Sequence, residues 1–176
     1  QNVTISNFTF IHRNAAAGNA AAIRIRGGAD STFVNGLITS DTACIRVDSS
    51  STTQATGADE QGPPKFFSVS VKCGSRPFRG GGSPAVTDAE VQTIFTTGTN
   101  NRSDYVPSLT SLFVNGAAET GFPAFDAKTL TTFFDTTGYV GAVRDASDTW
   151  YEGWTCNSAT ANFGASSGRC TSLPTS

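Results

Sequence analysis

The sequence predicts an all-β fold, a right-handed parallel β-helix with one short inserted helix and an aromatic, disulfide-tied C-terminal cap. In the first half, short segments rich in β-branched and aromatic residues alternate with Gly, Asp, Ser or Pro, and helical periodicity is absent. AIRIR at 22–26 recurs as CIRVD at 44–48, and FVNG at 33–36 recurs at 113–116. A repeat near 22 residues with several strands in each repeat is typical of strands stacked at ~4.8 Å into one continuous core.

The strand segments contain asparagines at similar places, which bear on how successive repeats join. Asn7, Asn35 and Asn115 each follow apolar residues of a similar segment. Asparagine tolerates left-handed backbone geometry, and its amide can bond to an adjacent repeat. Ordinary turn asparagines in a β-sandwich are the alternative. The predicted strand segments are 2–11, 21–28, 31–40, 43–50 and 65–73.

Two interruptions divide the predicted β-helix, which covers residues 1–125. Residues 50–64 are polar and end at Pro63-Pro64, so we expect a mobile excursion loop there. Thr87 and Glu90 have the T-x-x-E spacing of a capping box, which predicts a helix at about 88–96.

The C-terminal region, residues 126–176, has a different composition, with more aromatic residues and no 22-residue echo. Trp150, Tyr151 and Trp154, with Tyr139, suit either a platform for stacking sugars or an apolar lid over the end of the β-helix. The lid is favoured, because an open end exposes unpaired backbone groups that promote edge-to-edge association.

The order of parts IRIRGG, FVNG, TDAEVQTIFTTGTNN and FFDTTGYVGAVRDASDTWYEGWTC resembles a family of secreted bacterial proteins of unassigned activity. Members carry a similar C-terminal YxGAVxD…W..GWT stretch, which corresponds to residues 133–156 here. The resemblance implies a parallel β-helix and an extracellular location. It carries no catalytic residue over to this chain.

Charge and cysteine content restrict the partners and the compartment. Only 15% of residues are charged and the formal net charge is −2, which argues against nucleic acid or anionic membranes as partners. Four cysteines without a CxxC fit two disulfides in an oxidising compartment, and three pairings can be drawn. Cys44–Cys73 and Cys156–Cys170 are favoured, because each closes a short loop.

Localisation follows from the ends and the hydropathy of the chain. No apolar run reaches membrane-spanning length, so no transmembrane segment is predicted. The sequence has no methionine and begins abruptly in a strand-like run, which suggests that a signal peptide was removed. We therefore expect a secreted or cell-surface protein.

The candidate ligand-binding residues on the strands are Arg24, Arg46 and Asp48. A pectate-lyase-like site needs acidic residues around Ca²⁺ and a base that removes a proton from the uronate. Arg24 and Arg46 lie 22 residues apart and would stack on one face, with Asp48 near Arg26. Stacked Arg–Asp pairs are more typical of solvated ladders than of catalytic groups. The paired aspartates of a polygalacturonase-type hydrolase are absent.

The candidate metal ligands are Asp145, Asp148 and Glu152, which with Asp135 offer oxygen atoms suited to Ca²⁺. They lack the DxDxDG spacing of a recognised calcium loop, and Asp148 suits a cap for the following turn equally well. His12, the sole histidine, is interpreted as a surface residue at a strand end. No cofactor other than Ca²⁺ is expected.

These observations predict a non-catalytic extracellular structural or interaction protein. It would assemble head-to-tail, or dock on a larger cell-surface complex, through the open N-terminal end of the β-helix. The alternative is a carbohydrate-active or carbohydrate-binding β-helix, pectate-lyase-like and Ca²⁺-dependent, with polysaccharide as its partner.

Overall fold

The computed structural model describes residues 2–13, 21–57 and 60–170. Its strands alternate along the chain between two parallel sheets, with orders β1-β3-β5 (the first sheet) and β2-β4-β6 (the second sheet). Helices α1 and α2 and two short 3₁₀ helices follow or interrupt the strands. The elements are β1 Thr4–His12, β2 Ala21–Ile25, β3 Thr32–Ser40, β4 Ala43–Asp48, β5 Lys65–Lys72, β6 Phe78–Gly81, α1 Asp88–Thr97, α2 Ala117–Thr120, and the 3₁₀ helices Ser50–Thr52 and Ala127–Thr129.

The prediction of an all-β, right-handed parallel β-helix is wrong. The described residues form two small three-stranded sheets and several helices, a mixed α/β arrangement without a closed or solenoid sheet. The 22-residue echo holds for one step, because Ile23 pairs with Ile45 but Ile45 pairs with Phe78, 33 residues later. Beyond α1, the chain to residue 170 forms short helices, turns and isolated bridges. The 22-residue spacing therefore relates β2 to β4 and does not continue as a regular repeat.

Both sheets and α1 share one core, at whose centre aromatic rings follow one another from strand to strand. Phe33 packs on Phe8 with ring centroids 5.8 Å apart and stacks on Phe66 at 5.3 Å. Phe66 contacts Phe95 of α1 at 5.7 Å, and Phe95 contacts Phe78 of β6 at 5.0 Å. Phe33 and Phe66 are register partners, and parallel in-register strands place such side chains above one another, whereas Phe8, Phe78 and Phe95 join the stack from other positions.

Helix α1 forms where the capping box predicts it. The Thr87 hydroxyl accepts a hydrogen bond from Glu90 N at 3.2 Å, and the Glu90 carboxylate accepts one from Thr87 N at 2.6 Å. The predicted range of about 88–96 is confirmed within one residue. Val91 and Phe95 on its inner face are buried, so α1 covers the core at the β5 and β6 end.

The first sheet bends at one rung in all three of its strands. Asn7, Asn35 and Ser68 occupy the same register position, and their φ angles are 52°, 53° and 53°. The left-handed geometry predicted for Asn7 and Asn35 is confirmed, whereas Asn115 has no positive φ. Side chains before and after the bend consequently change face relative to a regular strand.

The amides at the bend bond to the C-terminal half of the chain instead of to adjacent strands. Asn7 Nδ2 donates to Tyr139 O at 2.9 Å. Asn35 Nδ2 donates to Phe125 O at 2.9 Å, and Asn35 Oδ1 accepts from Phe125 N at 2.7 Å. Asn115 Nδ2 reaches the carbonyl of Val140 in the same region, at 2.7 Å. These asparagines hold the later segments against the sheet.

The aromatic C-terminal region lies beside the first sheet. Gly141 N donates to Asn35 O at 2.9 Å, and buried Val140 packs with Leu37 and Tyr105 on the outer face of β3. Gly141 has φ +83°, and a Cβ there would lie 2.8 Å from Leu37 Cδ1, so only glycine fits. The interpretation of this region as a lid over a β-helix end is therefore wrong. The boundary at 125/126 stays a prediction, and residues 171–176 lie outside the described residues.

The preferred disulfide pairing is confirmed. Cys44 bonds to Cys73 with Cα atoms 5.6 Å apart, and Cys156 bonds to Cys170 at 4.7 Å. Such bonds are compatible with an oxidising compartment. None of the described helices has the length and apolar composition needed to cross a membrane.

The predicted excursion loop at 50–64 is only partly described, because residues 58–59 lie outside the described residues. Its beginning packs closely, since Thr52 is fully buried and its hydroxyl donates to Asp48 O at 2.7 Å. Mobility of this loop stays a prediction.

Candidate functional site

A row of three arginines runs across the outer face of the second sheet. Arg24 of β2, Arg46 of β4 and Arg79 of β6 are register partners. Ile23 and Ile25 flank Arg24, Ile45 and Val47 flank Arg46, and Phe78 precedes Arg79; these apolar residues are buried, so alternation turns the arginines outward. Parallel pairing spaces the three at about 4.8 Å. We call these residues the arginine row.

Asp48 joins two members of the arginine row. Its carboxylate oxygens accept hydrogen bonds from the Nε atoms of Arg24 and Arg46, each at 2.7 Å. The Asp48 side chain is 6% exposed, against 17% for Arg46 and 32% for Arg24. The structure thus brings together the three ligand-binding candidates that the sequence placed on strands. Asp48 bonds to Arg24 and Arg46 and not to Arg26, which is exposed at the end of β2.

The contacts determine which chemistry Asp48 can perform. Burial alone would raise the pKa of Asp48, but the hydrogen bonds from Arg46 and Arg24 outweigh it and hold the pKa below its usual value. Asp48 is therefore an anion at neutral pH with both oxygens occupied. Such a carboxylate does not supply a proton to a substrate. Its role is to form ion pairs with both arginines.

Replacing Asp48 by asparagine is expected to lower the free energy of unfolding by about 2 kcal/mol at pH 7, because an NH₂ group would face a guanidinium. The folded-state pKa of Asp48 is lowered, so its contribution is present above the unfolded pKa near ~3.9 and is lost as the pH falls. Urea titrations at pH 7 and pH 3 should show the difference between wild type and D48N shrinking with acid.

The matched control is Asp104→Asn, which removes an exposed carboxylate that forms no ion pair with any described residue. This change should alter the free energy of unfolding by less than about 0.5 kcal/mol. Equal losses in D48N and D104N would show that the Asp48 contacts add nothing to stability.

The first two predicted calcium ligands take part in a local turn. Asp145 accepts hydrogen bonds from Ser147 N and Arg144 Nε, each at 2.8 Å. The Ser147 hydroxyl, and then Arg144, lower the pKa of Asp145 to about 2. Asp148 Oδ2 accepts from Arg144 N at 2.9 Å, so it closes the preceding turn instead of capping the following one.

The third predicted ligand, Glu152, points elsewhere and accepts a hydrogen bond from the Ser166 hydroxyl at 2.9 Å. Asp135 is exposed on a separate turn. Within residues 2–13, 21–57 and 60–170, no three His, Cys, Asp or Glu side chains converge as a metal site would require. Calcium binding at 145, 148 and 152 stays a prediction.

The three aromatic candidates have different environments. Tyr151 packs edge-on against Phe113 at 5.0 Å and against Phe163 at 6.0 Å. Trp150 is 60% exposed, and its Nε1 donates to Ala142 O at 2.9 Å. Trp154 is 88% exposed. The three rings therefore do not form one flat platform.

A cleft of about 460 Å³ lies between these aromatics and β1. It is mostly apolar, with Arg13 as its charged lining residue. The Cys156–Cys170 disulfide and the hydrogen bond from Cys170 N to Asn157 O, at 2.9 Å, fix the loop that carries one wall. The lining residues are Thr9, Ile11, Arg13, Leu112, Phe113, Ala142, Val143, Trp150, Tyr151, Thr155, Thr160, Ala161 and Phe163.

His12 lies at the end of β1, as expected, and pairs with a serine across the strands. Its Nδ1 is 3.1 Å from the hydroxyl of Ser40, the register partner of His12 on β3. The Ser40 hydroxyl also accepts from Thr42 N at 3.1 Å. In the part of the chain that the structure describes, no carboxylate hydrogen-bonds to this imidazole, so the pair lacks the orienting group of a nucleophilic triad.

The two edges of the first sheet differ in whether another segment pairs with them. The outer edge of β1 has no pairing strand among the described residues. At the opposite edge, residues 99–102 continue the sheet beyond β5, with Ser68 N donating to Thr99 O at 2.8 Å. Asn101 completes that edge, because its side chain bonds to Val69 N at 2.9 Å and to Phe66 O at 2.8 Å.

Sequence reasoning missed one buried charge. Glu119, fully buried in α2, accepts hydrogen bonds from the Tyr105 hydroxyl, from Ser108 N at 2.8 Å and from Gly116 N at 2.8 Å. The spacing G-x-x-E at 116–119 gives the second half of a capping box, because Glu119 accepts from Gly116 N while glycine has no side chain to form the first half. That spacing was the available signal.

Comparison of the chain with protein-family models, with curated proteins and with solved structures finds no match.

Proposed function

We propose that the protein is a non-catalytic, extracellular interaction module that associates with a second copy of itself through the outer edge of β1. The observation that supports the proposal is the contrast between this unpaired edge and the covered edge at β5. The two disulfides support an extracellular setting. The alternative of a pectate-lyase-like enzyme is less favoured, because Asp48 is held between two arginines.

The composition of β1 also favours association. Soluble proteins usually protect edge strands with charged residues, proline or a bulge. Residues 4–11, TISNFTFI, contain no charged residue and no proline. The strand is nine residues long, and its Ile5 and Phe10 are only partly buried against the core. On either side of the bend at Asn7, a strand of this kind can form backbone hydrogen bonds with another strand.

The covered β5 edge decides the geometry of assembly. Head-to-tail stacking would join the β1 edge of one copy to the β5 edge of the next, which residues 99–102 already occupy. Two copies can instead place their β1 strands side by side around a two-fold axis, in antiparallel orientation. We therefore favour a closed dimer over a filament.

The test measures the oligomeric state of the full chain by size exclusion with light scattering over a concentration series. Wild type should form a dimer, and Thr4→Lys should weaken dimerisation by roughly tenfold or more, since antiparallel pairing places the added lysine opposite the far end of the other copy's β1, where Arg13 carries the same charge. Gln92→Lys adds the same charge on the exposed face of α1 and should leave dimerisation unchanged.

Circular dichroism confirms that both variants fold, and hydrogen exchange reports on β1 directly. A wild type that stays monomeric at every concentration, with rapidly exchanging amides in β1, would refute the proposal.

A further inference from the structure

We infer that the arginine row is a binding site for an extended acidic polysaccharide, a chain of uronate sugars whose carboxylates repeat along its length. The site lies on the outer face of the second sheet, whereas the proposed dimer forms at the β1 edge of the first sheet. This inference is independent of the proposed dimer.

The first step is a charge imbalance. Arg24, Arg46 and Arg79 form the row, and exposed Arg26 directly follows the end of β2. With Arg76, which pairs with Asp88 beside β6, five guanidinium groups accompany the two carboxylates of Asp48 and Asp88, on a chain whose net charge is −2. Positive charge is concentrated on this face against the sign of the whole molecule, which favours an anionic partner.

The second step concerns Arg79, the member of the row that does not hydrogen-bond to Asp48. Its Nε is buried and has no hydrogen-bond partner. The nearby carboxylate of Asp88 is already engaged by Arg76, whose second nitrogen donates at 2.7 Å, and by Gly80 N at 2.9 Å. Because this Nε has no contact with solvent, an anion on the outer face would bind the partly exposed Arg79 side chain through its terminal guanidinium nitrogens, and among the described residues no carboxylate hydrogen-bonds to that side chain.

The third step concerns the geometry of the ligand. Guanidinium groups bind carboxylates through paired N–H donors, and Asp48 holds Arg24 and Arg46 in fixed orientations. The row repeats at about 4.8 Å, so a ligand that engages several members must itself carry anions at regular short intervals. A uronate chain with one carboxylate on each sugar has this property, whereas a single small anion engages one arginine.

The face also argues against single-stranded nucleic acid. Basic surfaces that bind such strands interleave aromatic side chains on which the bases stack. The outward residues of the second sheet beside the row are Asp48 and Gly81, which form the adjoining register pair. Neither residue offers a stacking surface.

The experiment titrates the full chain with a short oligogalacturonate by calorimetry at low salt. The control ligand is the same oligomer with its carboxylates methyl-esterified, which keeps the sugars and removes the charge. We expect binding of the acidic oligomer only, with an affinity that falls as salt is raised. Arg79→Gln should weaken binding by roughly tenfold.

Lys128→Gln is the matched control variant, because it removes the same charge from an exposed residue of a 3₁₀ helix. Its affinity should stay within about twofold of wild type. If R79Q does not fold, Arg26→Gln, at the exposed position just beyond β2, replaces it, with an expected loss of roughly threefold. The dimerisation variant Thr4→Lys should keep the affinity, which separates this test from that of the proposed function.

Three results would overturn the inference: equal binding of the esterified oligomer, equal losses in R79Q and K128Q, or tighter binding of a single-stranded DNA oligonucleotide than of the uronate.

Discussion

Replacing Phe66 by alanine is expected to lower the free energy of unfolding by about 4 kcal/mol. Phe66 is 1% exposed and lies in the middle of the aromatic stack, between Phe33 and Phe95. The change removes a ring that touches β3 and α1 at once, and the rigid sheet cannot close the cavity. Urea denaturation followed by circular dichroism measures the loss.

Phe67→Ala, one residue further along β5, is the matched control. Phe67 is partly exposed and stacks on Phe125 with ring centroids 4.6 Å apart. The same atoms are removed, but from the outer face of the first sheet, so we expect a loss of only about 1.5 kcal/mol. Equal losses at Phe66 and Phe67 would mean that the aromatic stack is not the centre of the core.

Replacing Glu119 by glutamine is expected to lower the free energy of unfolding by about 3 kcal/mol. The carboxylate is fully buried, and its oxygens accept from Tyr105, Gly116 and the backbone and hydroxyl of Ser108. Glutamine keeps one acceptor oxygen, but its NH₂ group replaces the other oxygen and faces N–H and O–H groups that also donate. Those buried donors then have no acceptor. Equilibrium unfolding at neutral pH measures the effect.

Tyr105→Phe removes one of these donors and serves as the graded control, with an expected loss of about 1 kcal/mol. Burial alone would raise the pKa of Glu119, but the hydrogen bonds from Ser108 and Tyr105 lower it overall. Its contribution is therefore present above the unfolded pKa near ~4.3 and is lost as the pH falls. A difference between wild type and E119Q that grows with acid would contradict this sign.

Local features of the fold could be predicted from the sequence because their causes are local. The capping box at Thr87 and Glu90 needs only its own residues, and helix α1 begins there. The disulfide partners lie fairly close along the chain, with separations of 29 and 14 residues. The single echo between AIRIR and CIRVD correctly placed β2 beside β4.

The architecture could not be predicted, because it depends on distant contacts. Asn35 bonds to Phe125 across 90 positions, and Asn7 to Tyr139 across 132. No spacing in the sequence marks such pairs. The aromatic segment was therefore assigned to an end, whereas these bonds hold it against the side of the first sheet.

Only part of the candidate site could be predicted, because only some of its residues belong to the repeat. Arg24, Arg46 and Asp48 belong to the echo and were found together. Arg79 was missed, because FRGG at 78–81 keeps only the alternation of an inward Phe78 and an outward arginine. For Asp145 and Asp148, spacing in an irregular segment did not determine where the carboxylates point.

The bend shared by the three strands of the first sheet also protects the chain against misfolding. A strand that slides by one residue in a regular sheet loses only its side-chain pattern. Here a slip would misalign Asn7, Asn35 and Ser68, or would force a residue such as Val34 into left-handed geometry that a β-branched side chain resists. The left-handed position thus fixes the register, because only one alignment of the three strands places Asn7, Asn35 and Ser68 side by side.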